Sequence, residues 1–252
     1  MPAEPTLSPA QPRGPRVLAQ ARFEAEILVR NGEQLLVALV LPAMAMIALV
    51  ASPYPALDEP RIDVVAPGVL ALAIVSTAFT GQAIQTAFDR RYGVLRFLAT
   101  TPVGTDGLLA GKAVGITAVV AGQLTILGAV ALVLGWRPAP VGLLQLPVTA
   151  ALGVWVFVAL ALLVAGALRA EAVLAVANLV WVLLAGVGGL LLPGDTITAL
   201  APVVRWLPSG ALGDALREGL MASGLPLVQW LVLLGWGLVL SLLVVRTFRW
   251  RD

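Results

Sequence analysis

The charged residues Asp89, Arg90, Arg91 and Arg96 stand close together between two long apolar segments of the chain. Their side chains can form ion pairs and charge-assisted hydrogen bonds with a soluble protein. The same stretch also contains Tyr92, Gly93, Leu95 and Pro102. Its apolar and basic edges predict that residues 88–104 present a short amphipathic helix to a partner. The alternative is a basic loop that only sets the orientation of its neighbouring segments, because Lys and Arg near span ends resist translocation.

A second group of polar side chains falls inside apolar segments. Its members are Ser76, Thr77, Thr80, Gln82, Gln85 and Asn178, with Thr117, Gln123 and Thr125 as weaker candidates. Amide and hydroxyl groups in hydrocarbon need partners, so these helix faces must meet another helix or water. One interpretation is that they line a route for a solute. The other is hydrogen bonding between helices, or from Ser and Thr to their own helix backbone.

The residue types that are missing exclude several kinds of chemistry. The sequence contains no His and no Cys, which removes the commonest general base, the thiol nucleophile and the commonest metal ligands. The middle of the central apolar segments carries no ionisable residue of the kind that ion-coupled transporters keep. There is also no G-x-x-x-x-G-K-[ST] phosphate loop. We therefore predict no catalytic site, no metal and no cofactor in this chain, and an energy source outside it.

The composition places these residues in a membrane protein. Of the 252 residues 60% are hydrophobic and 12% are charged, which is too apolar for a soluble domain of this size. The net charge of +2 is too small to suggest a nucleic-acid partner. We predict an all-α integral membrane protein with six transmembrane helices embedded in the lipid bilayer. The predicted spans are residues 35–51, 66–87, 111–135, 143–168, 172–192 and 227–245.

The distribution of positive charge predicts the orientation. With six spans both termini share one side, and twelve of the sixteen Lys and Arg residues fall on that side. Because Lys and Arg accumulate in cytoplasmic loops, we expect a multi-pass protein of the plasma (inner) membrane with both termini in the cytoplasm.

The N-terminal region divides into a tail and a helix. Residues 1–15 are rich in Pro and are expected to be disordered. Residues 16–30 have helical periodicity, with Arg22, Glu26 and Arg30 along one face and apolar residues along another. This pattern predicts an interfacial helix that lies on the cytoplasmic leaflet. The alternative is a soluble helix packed on a partner. Residues 16–252 then form a single membrane domain.

The stretch between spans five and six is too long for a hairpin turn. Residues 198–223 contain two candidate helices of about ten residues each, about half the length that a bilayer requires. In the second one, Leu212, Leu216 and Leu220 share a face. We predict a pair of half-helices that dip back from the outer surface, which is tolerated only where protein or a water-filled cavity surrounds the backbone. The alternative is an amphipathic hairpin that lies on the membrane surface.

The whole chain after residue 15 resembles the permease subunits of ABC-2 type transporters, in particular the short actinobacterial drug-export-like branch. The resemblance rests on the loop Asp-Arg-Arg-Tyr-Gly-x-Leu-x-x-Leu-x-x-Thr-Pro that begins at Asp89 and on the Leu-Pro-Ser-Gly-Ala-Leu-Gly-Asp-Ala-Leu-Arg segment that begins at Leu207. Asp89 stands where this family usually has Glu.

The resemblance implies the membrane half of an exporter. Two such permeases, identical or related, would pair, and separate nucleotide-binding ATPase subunits that bind ATP and Mg²⁺ would dock on the cytoplasmic face. Residues 89–101 would correspond to the coupling helix, residues 16–30 to the connecting helix and residues 198–223 to an extracellular cap. The small outer loops and apolar spans favour an amphipathic or lipid-like solute.

Two other classes of function compete with this one. A channel or scaffold subunit would need no ATPase. An intramembrane enzyme is disfavoured, because without His, Cys or paired buried acids little is left for acid–base chemistry.

Overall fold

The computed structural model describes residues 12–30, 32–54, 60–94, 104–194, 201–221 and 224–247. These residues form helices and their connections, and no strand occurs among them. The helices in chain order are α1 (Arg13–Arg30), α2 (Gly32–Ala51), α3 (Arg61–Val75), α4 (Gln82–Arg91), α5 (Gly104–Val133), α6 (Pro140–Ala167), α7 (Ala170–Gly186), α8 (Ala201–Val204), α9 (Pro208–Met221) and α10 (Leu227–Thr247). A π-helical turn, Ser76–Gly81, joins α3 to α4 without a break.

The helices are those of an all-α integral membrane protein. Among the described residues, four helices are long and apolar enough to cross a bilayer: Arg61–Arg91, Ala110–Val133, Pro140–Ala167 and Leu227–Thr247. Two further apolar helices, Ala38–Ala51 and Ala170–Gly186, are shorter than a usual span. The number of six spans therefore stays a prediction.

The continuous α3–α4 helix is the centre of the bundle. Every residue from Val64 to Val75 is buried, so α3 is apolar and packed on all sides, as expected for a helix inside a helical core. It contacts α2, α5, α6 and α9, while α4 contacts α6 and α7. By contrast, α10 exposes most of its apolar surface, as a helix that faces lipid does. Helices α2, α5, α6, α7 and α9 thus pack against α3–α4, whereas α1 and α10 pack mainly against α5 and α6.

Two ends of the bundle can be defined from hydrogen bonds between distant residues. At the Arg90 end, Arg90 reaches the carbonyl of Leu168 and Arg91 pairs with Glu171. At the Trp136 end, the Ala139 amide donates to the Leu220 carbonyl, at 2.8 Å, and Trp136 contacts Met221.

Three predicted boundaries are wrong. Helix α1 begins at Arg13 and not at residue 16, because Pro15 falls in its first turn, where proline needs no donor. Helix α4 runs through Arg91, so residues 88–91 continue the second span and do not start a separate helix. Helix α7 ends at Gly186, six residues before the expected end, because Gly189 adopts a φ of +75° that no helix accommodates.

Helix α9 corresponds to the second predicted half-helix. It has 14 residues, and Leu212, Leu216 and Leu220 are fully buried. It packs against α3, α6 and α10, so it lies among the long helices and the alternative of a surface hairpin is wrong for this segment. The first predicted half-helix is represented by α8, a single turn of four residues. Residues 195–200 and 222–223 lie outside the described residues.

Close backbone approach holds α9 against α6. A Cβ atom added at Gly142 would lie 2.1 Å from the Gly219 carbonyl oxygen. We expect Gly142→Ala to lower the free energy of unfolding by about 1–3 kcal/mol, because the backbones must separate to admit the methyl group. The measurement is thermal unfolding of the purified chain in detergent.

The control for this prediction is Gly128→Ala in α5, where an added Cβ meets nothing within 4 Å. Alanine favours helix by about 1 kcal/mol over glycine, so this variant should be neutral or more stable. Equal stability of the two variants would contradict the close α6–α9 contact.

Candidate functional site

A cavity of about 540 Å³ opens beside the π-helical turn. Its walls come from α2, α3–α4, α5 and α7. The lining residues are Ala38, Leu41, Pro42, Ala45, Leu72, Ser76, Thr77, Thr80, Gly81, Ile84, Val119, Gln123, Asn178, Trp181 and Leu191. The walls are mainly apolar, and no described lining residue is ionisable. This combination of apolar walls and a few polar groups is typical of sites for small molecules.

The π-helical turn places hydroxyl groups on the cavity wall. Ser76 donates to the Leu72 carbonyl at 2.7 Å and accepts from the indole N–H of Trp181 at 2.7 Å. Thr117 and Thr125 each donate to the carbonyl four residues earlier, as helical Thr usually does. The Thr80 Oγ1 atom, within the turn, is buried and has no hydrogen-bond partner among the described residues. Turns of this kind occur frequently at functional sites.

Gln123 supplies the amide group of the cavity. Its side chain is 2% exposed. The Thr77 hydroxyl donates to its Oε1 atom at 2.8 Å. The Nε2 atom of the same amide is buried and finds no partner in the described part of the chain. A buried amide N–H₂ without a partner costs about 1–3 kcal/mol. This group is therefore available to donate a hydrogen bond to an acceptor that enters the cavity.

The structure brings most of the predicted pathway residues to this cavity. Ser76, Thr77, Thr80 and Asn178 line it, although Asn178 also donates to its own helix, at the Leu174 carbonyl. Gln82 and Gln85 do not line it. They turn toward a different group of polar side chains, nearer the Arg90 end.

That second group is a buried polar cluster of Gln20, Glu24, Gln82 and Lys112. The Lys112 ammonium lies 3.1 Å from Glu24 Oε2 and donates to Gln82 Oε1 at 3.2 Å. Gln20 donates to Glu24 Oε1 at 3.0 Å. The Lys112 and Glu24 side chains are only 4% and 5% exposed. The cluster therefore joins α1, α4 and α5 through an ion pair that water hardly reaches.

Small residues allow α1 to approach α5 closely enough for this pair to form. A Cβ atom at Gly111 would lie 2.5 Å from Gln20 Cγ, and one at Gly115 would lie 2.7 Å from the Ala21 carbonyl oxygen. Gly111 and Gly115 are four residues apart, the spacing that brings two membrane helices into backbone contact. Gly111 and Gly115 thus form the close contact between α1 and α5, which we call the glycine seam, and the polar cluster lies beside it.

The exposed side of α1 retains the predicted charged face. The residues Arg22, Glu26 and Arg30 are all outside the core, and Arg22 donates to Glu26 at 3.0 Å. Leu18 and Phe23 are also exposed. The residues of α1 that face α5 include Gln20, Ala21 and Glu24.

Arg90 binds the end of another helix. Its guanidinium donates to the carbonyl oxygens of Ala165, Gly166 and Leu168 at 2.7, 2.9 and 2.7 Å. These carbonyls close α6, where the helix itself provides no donor. Arg90 therefore caps α6 and holds it against α4.

Arg91, next to Arg90, adds a second contact between helices, and Tyr92 after it is exposed. Arg91 pairs with Glu171 in the first turn of α7, Asp89 is partly buried, and Tyr92 is exposed. Gly93 has a φ of +72°, which ends the helix. The predicted site residues Leu95, Arg96 and Pro102 lie outside the described residues.

The sequence interpretation missed Glu24, Gln20 and Lys112. It treats Lys112 only as a positive charge that marks a side of the membrane. Two signals could have identified the cluster: Gln20 and Glu24 are four residues apart in the otherwise alanine-rich part of α1, and Lys112 lies between Gly111 and Gly115. The part of the chain that the structure describes contains no group of acids that could hold a metal ion.

We expect Lys112→Met to lower the free energy of unfolding by about 3–5 kcal/mol, because it leaves the Glu24 carboxylate buried without its partner. Adding Glu24→Gln should recover most of that loss, since both charges of the Glu24–Lys112 pair are then removed. Thermal unfolding of both variants measures the difference.

The matched control on α1 is Arg22→Ala, which removes the exposed Arg22–Glu26 pair and should cost at most about 1 kcal/mol. A Lys112→Met variant as stable as Arg22→Ala would disprove the buried pair.

In a comparison with protein-family models, the model described as ABC-2 type transporter matches residues 17–221. This range begins within α1 and ends at the last residue of α9, so it includes the cavity, the polar cluster and the Arg90 contact. A search of curated proteins finds no match to the sequence.

Proposed function

Because the chain belongs to the ABC-2 type transporter family, whose members are the membrane permeases of ABC transporters, we propose that it is the permease half of an ATP-driven exporter. In this proposal the solute is amphipathic, lipid-like or drug-like, and it moves out of the cytoplasm through the cavity. The permease pairs with a second copy or a related chain. Separate nucleotide-binding subunits bind ATP and Mg²⁺ and dock at the Arg90 end.

One observation carries the proposal: the cavity and the Arg90 end share a single uninterrupted helix, Arg61–Arg91. Ser76, Thr77 and Thr80 of this helix line the cavity. At its far end, Arg90 and Arg91 attach the helix to the end of α6 and the start of α7. A displacement at the Arg90 end would therefore reach the cavity wall through covalent backbone and would carry two neighbouring helices with it.

The docking surface in this proposal differs from the one expected from charge alone. Arg90 and Arg91 hold neighbouring helices, so we assign them a positioning role. The contact with the ATPase then falls to the exposed Tyr92, to Asp89, and to the segment through residue 104 that includes Leu95, Arg96 and Pro102. Helix α1 would provide a second contact through Arg22, Glu26 and Arg30.

The orientation follows from the same assignment. If the ATPase docks at the Arg90 end, that end faces the cytoplasm, and the Trp136 end with α9 faces outward. Both termini are then cytoplasmic in the plasma membrane. The excess of Lys and Arg on this side supports the arrangement.

The positioning role of Arg91 can be tested by exchanging charges. We expect Arg91→Glu to reduce ATP-dependent export several-fold, because it places two carboxylates together at Glu171. The double variant Arg91→Glu with Glu171→Arg should recover most of the export, measured in membrane vesicles that contain the complex. The control Arg137→Glu changes an exposed arginine at the Trp136 end. Failure of the double variant to recover would favour direct contact between Arg91 and the ATPase.

The proposed function itself is tested by removing the docking segment. We expect deletion of residues 95–101 to abolish co-purification of an ATPase with the tagged full chain and to abolish ATP-dependent accumulation of a fluorescent amphipathic dye in inverted vesicles. The intact chain reconstituted alone should not release the dye from liposomes. Release by the chain alone, without ATP, would identify a channel and overturn the proposal.

A further inference from the structure

We propose that the cavity beside the π-helical turn binds an uncharged, largely apolar molecule that carries a carbonyl group as hydrogen-bond acceptor. Gln123 Nε2 and Thr80 Oγ1 donate to this acceptor. This inference rests on the proposed function in that it names the class of solute. The binding step can nevertheless be measured without transport.

The polar atoms of the cavity define what the ligand must offer. Gln123 Nε2 can only donate, and its amide is oriented by the hydroxyl of Thr77, which already donates to Oε1. Thr80 Oγ1 can donate or accept. Both atoms are buried and unpartnered among the described residues, and both residues line the cavity. A ligand carbonyl oxygen, with two lone pairs, can accept from both groups.

The walls define what the ligand cannot be. Leu41, Leu72, Ile84, Val119 and Leu191 are among the apolar lining residues, and no described lining residue carries a charge. An ionised headgroup would lose its hydration here without gaining a counter-ion, which costs several kcal/mol. The buried ion pair of Glu24 with Lys112 does not line the cavity.

A further polar feature lies on the wall that α2 provides. Pro42 in α2 has no N–H to donate to the carbonyl of Ala38, and both residues line the cavity. A ligand hydroxyl could donate to this carbonyl. A monoacylglycerol, which combines an ester carbonyl, hydroxyls and an alkyl chain, has the chemistry of the site.

The test is equilibrium binding of radiolabelled decanoylglycerol to the full chain in nanodiscs, measured by scintillation proximity with empty nanodiscs as background. We expect saturable binding. Decanoate and decyltrimethylammonium have similar chains with a negative or a positive headgroup, and dodecane has no acceptor; each should compete at least about tenfold more weakly.

Two variants connect the binding to the named atoms. Gln123→Leu and Thr80→Val each remove one donor with little change in shape and should weaken decanoylglycerol binding about 3- to 10-fold, without changing the weak competition by dodecane. The control Thr117→Val alters an exposed hydroxyl on the same helix as Gln123, bonded to its own backbone, and should bind as the parent does. Thermal unfolding establishes that each variant is folded.

The outcomes separate this inference from the proposed function. Equal competition by the charged probes, or unchanged binding in both Gln123→Leu and Thr80→Val, would overturn the ligand class. Binding that depends on both residues would support it even if the assembled complex failed to export, and in that case only the proposed function would be lost.

Discussion

The end of a helix inside a membrane protein exposes carbonyl oxygens that neither the helix nor lipid can satisfy, and this constraint governs how the bundle is assembled. Three arginines satisfy it. Arg61 donates to the carbonyls of Leu49 and Tyr54 after α2, Arg90 caps α6, and Arg217 donates to Gly189 and Leu190 after α7. A guanidinium suits the role because its planar fork reaches several acceptors at once. Arg61 and Arg90 thereby fix one helix to the end of another, and Arg217 fixes α9 to the connection that follows α7.

Contacts between helices define two groups, α4 with α6 and α7, and α1 with α5, and the two groups meet at the polar cluster. Arg90 and Arg91 hold α4 to α6 and α7, whereas the glycine seam and Glu24 hold α1 to α5. Lys112 bridges the groups, since it contacts both Glu24 and Gln82. The cavity lies above this bridge with walls from both groups. A relative movement of the groups would therefore change the cavity and strain the Lys112 contacts together.

Local pattern was sufficient to predict the helices, but not which residues meet. The amphipathic α9 and the apolar α3 follow from residue spacing alone. Arg90 and its carbonyls, however, are 75 to 78 residues apart, and Glu24 and Lys112 are 88 apart; a count of charges indicates a side of the membrane and not a partner. On a regular helix six positions separate Ser76 from Gln82, about 240° around the axis, so residue spacing alone already places Gln82 off the face that Ser76 and Thr80 share.

The buried polar groups of the bundle differ in whether they have hydrogen-bond partners. Groups with partners hold helices together, whereas groups without partners in the cavity can recognise a ligand. Arg90 and Arg217 are bound to carbonyls, and Lys112 is paired with a carboxylate; these contacts lie within the chain and hold helices together. Thr80 Oγ1 and Gln123 Nε2 are not satisfied by any described residue, and both residues line the same cavity. Leucine or valine in their place would remove the desolvation cost of about 1–3 kcal/mol for each group. A cost of that size at two groups that line one cavity is best offset by a molecule that enters it.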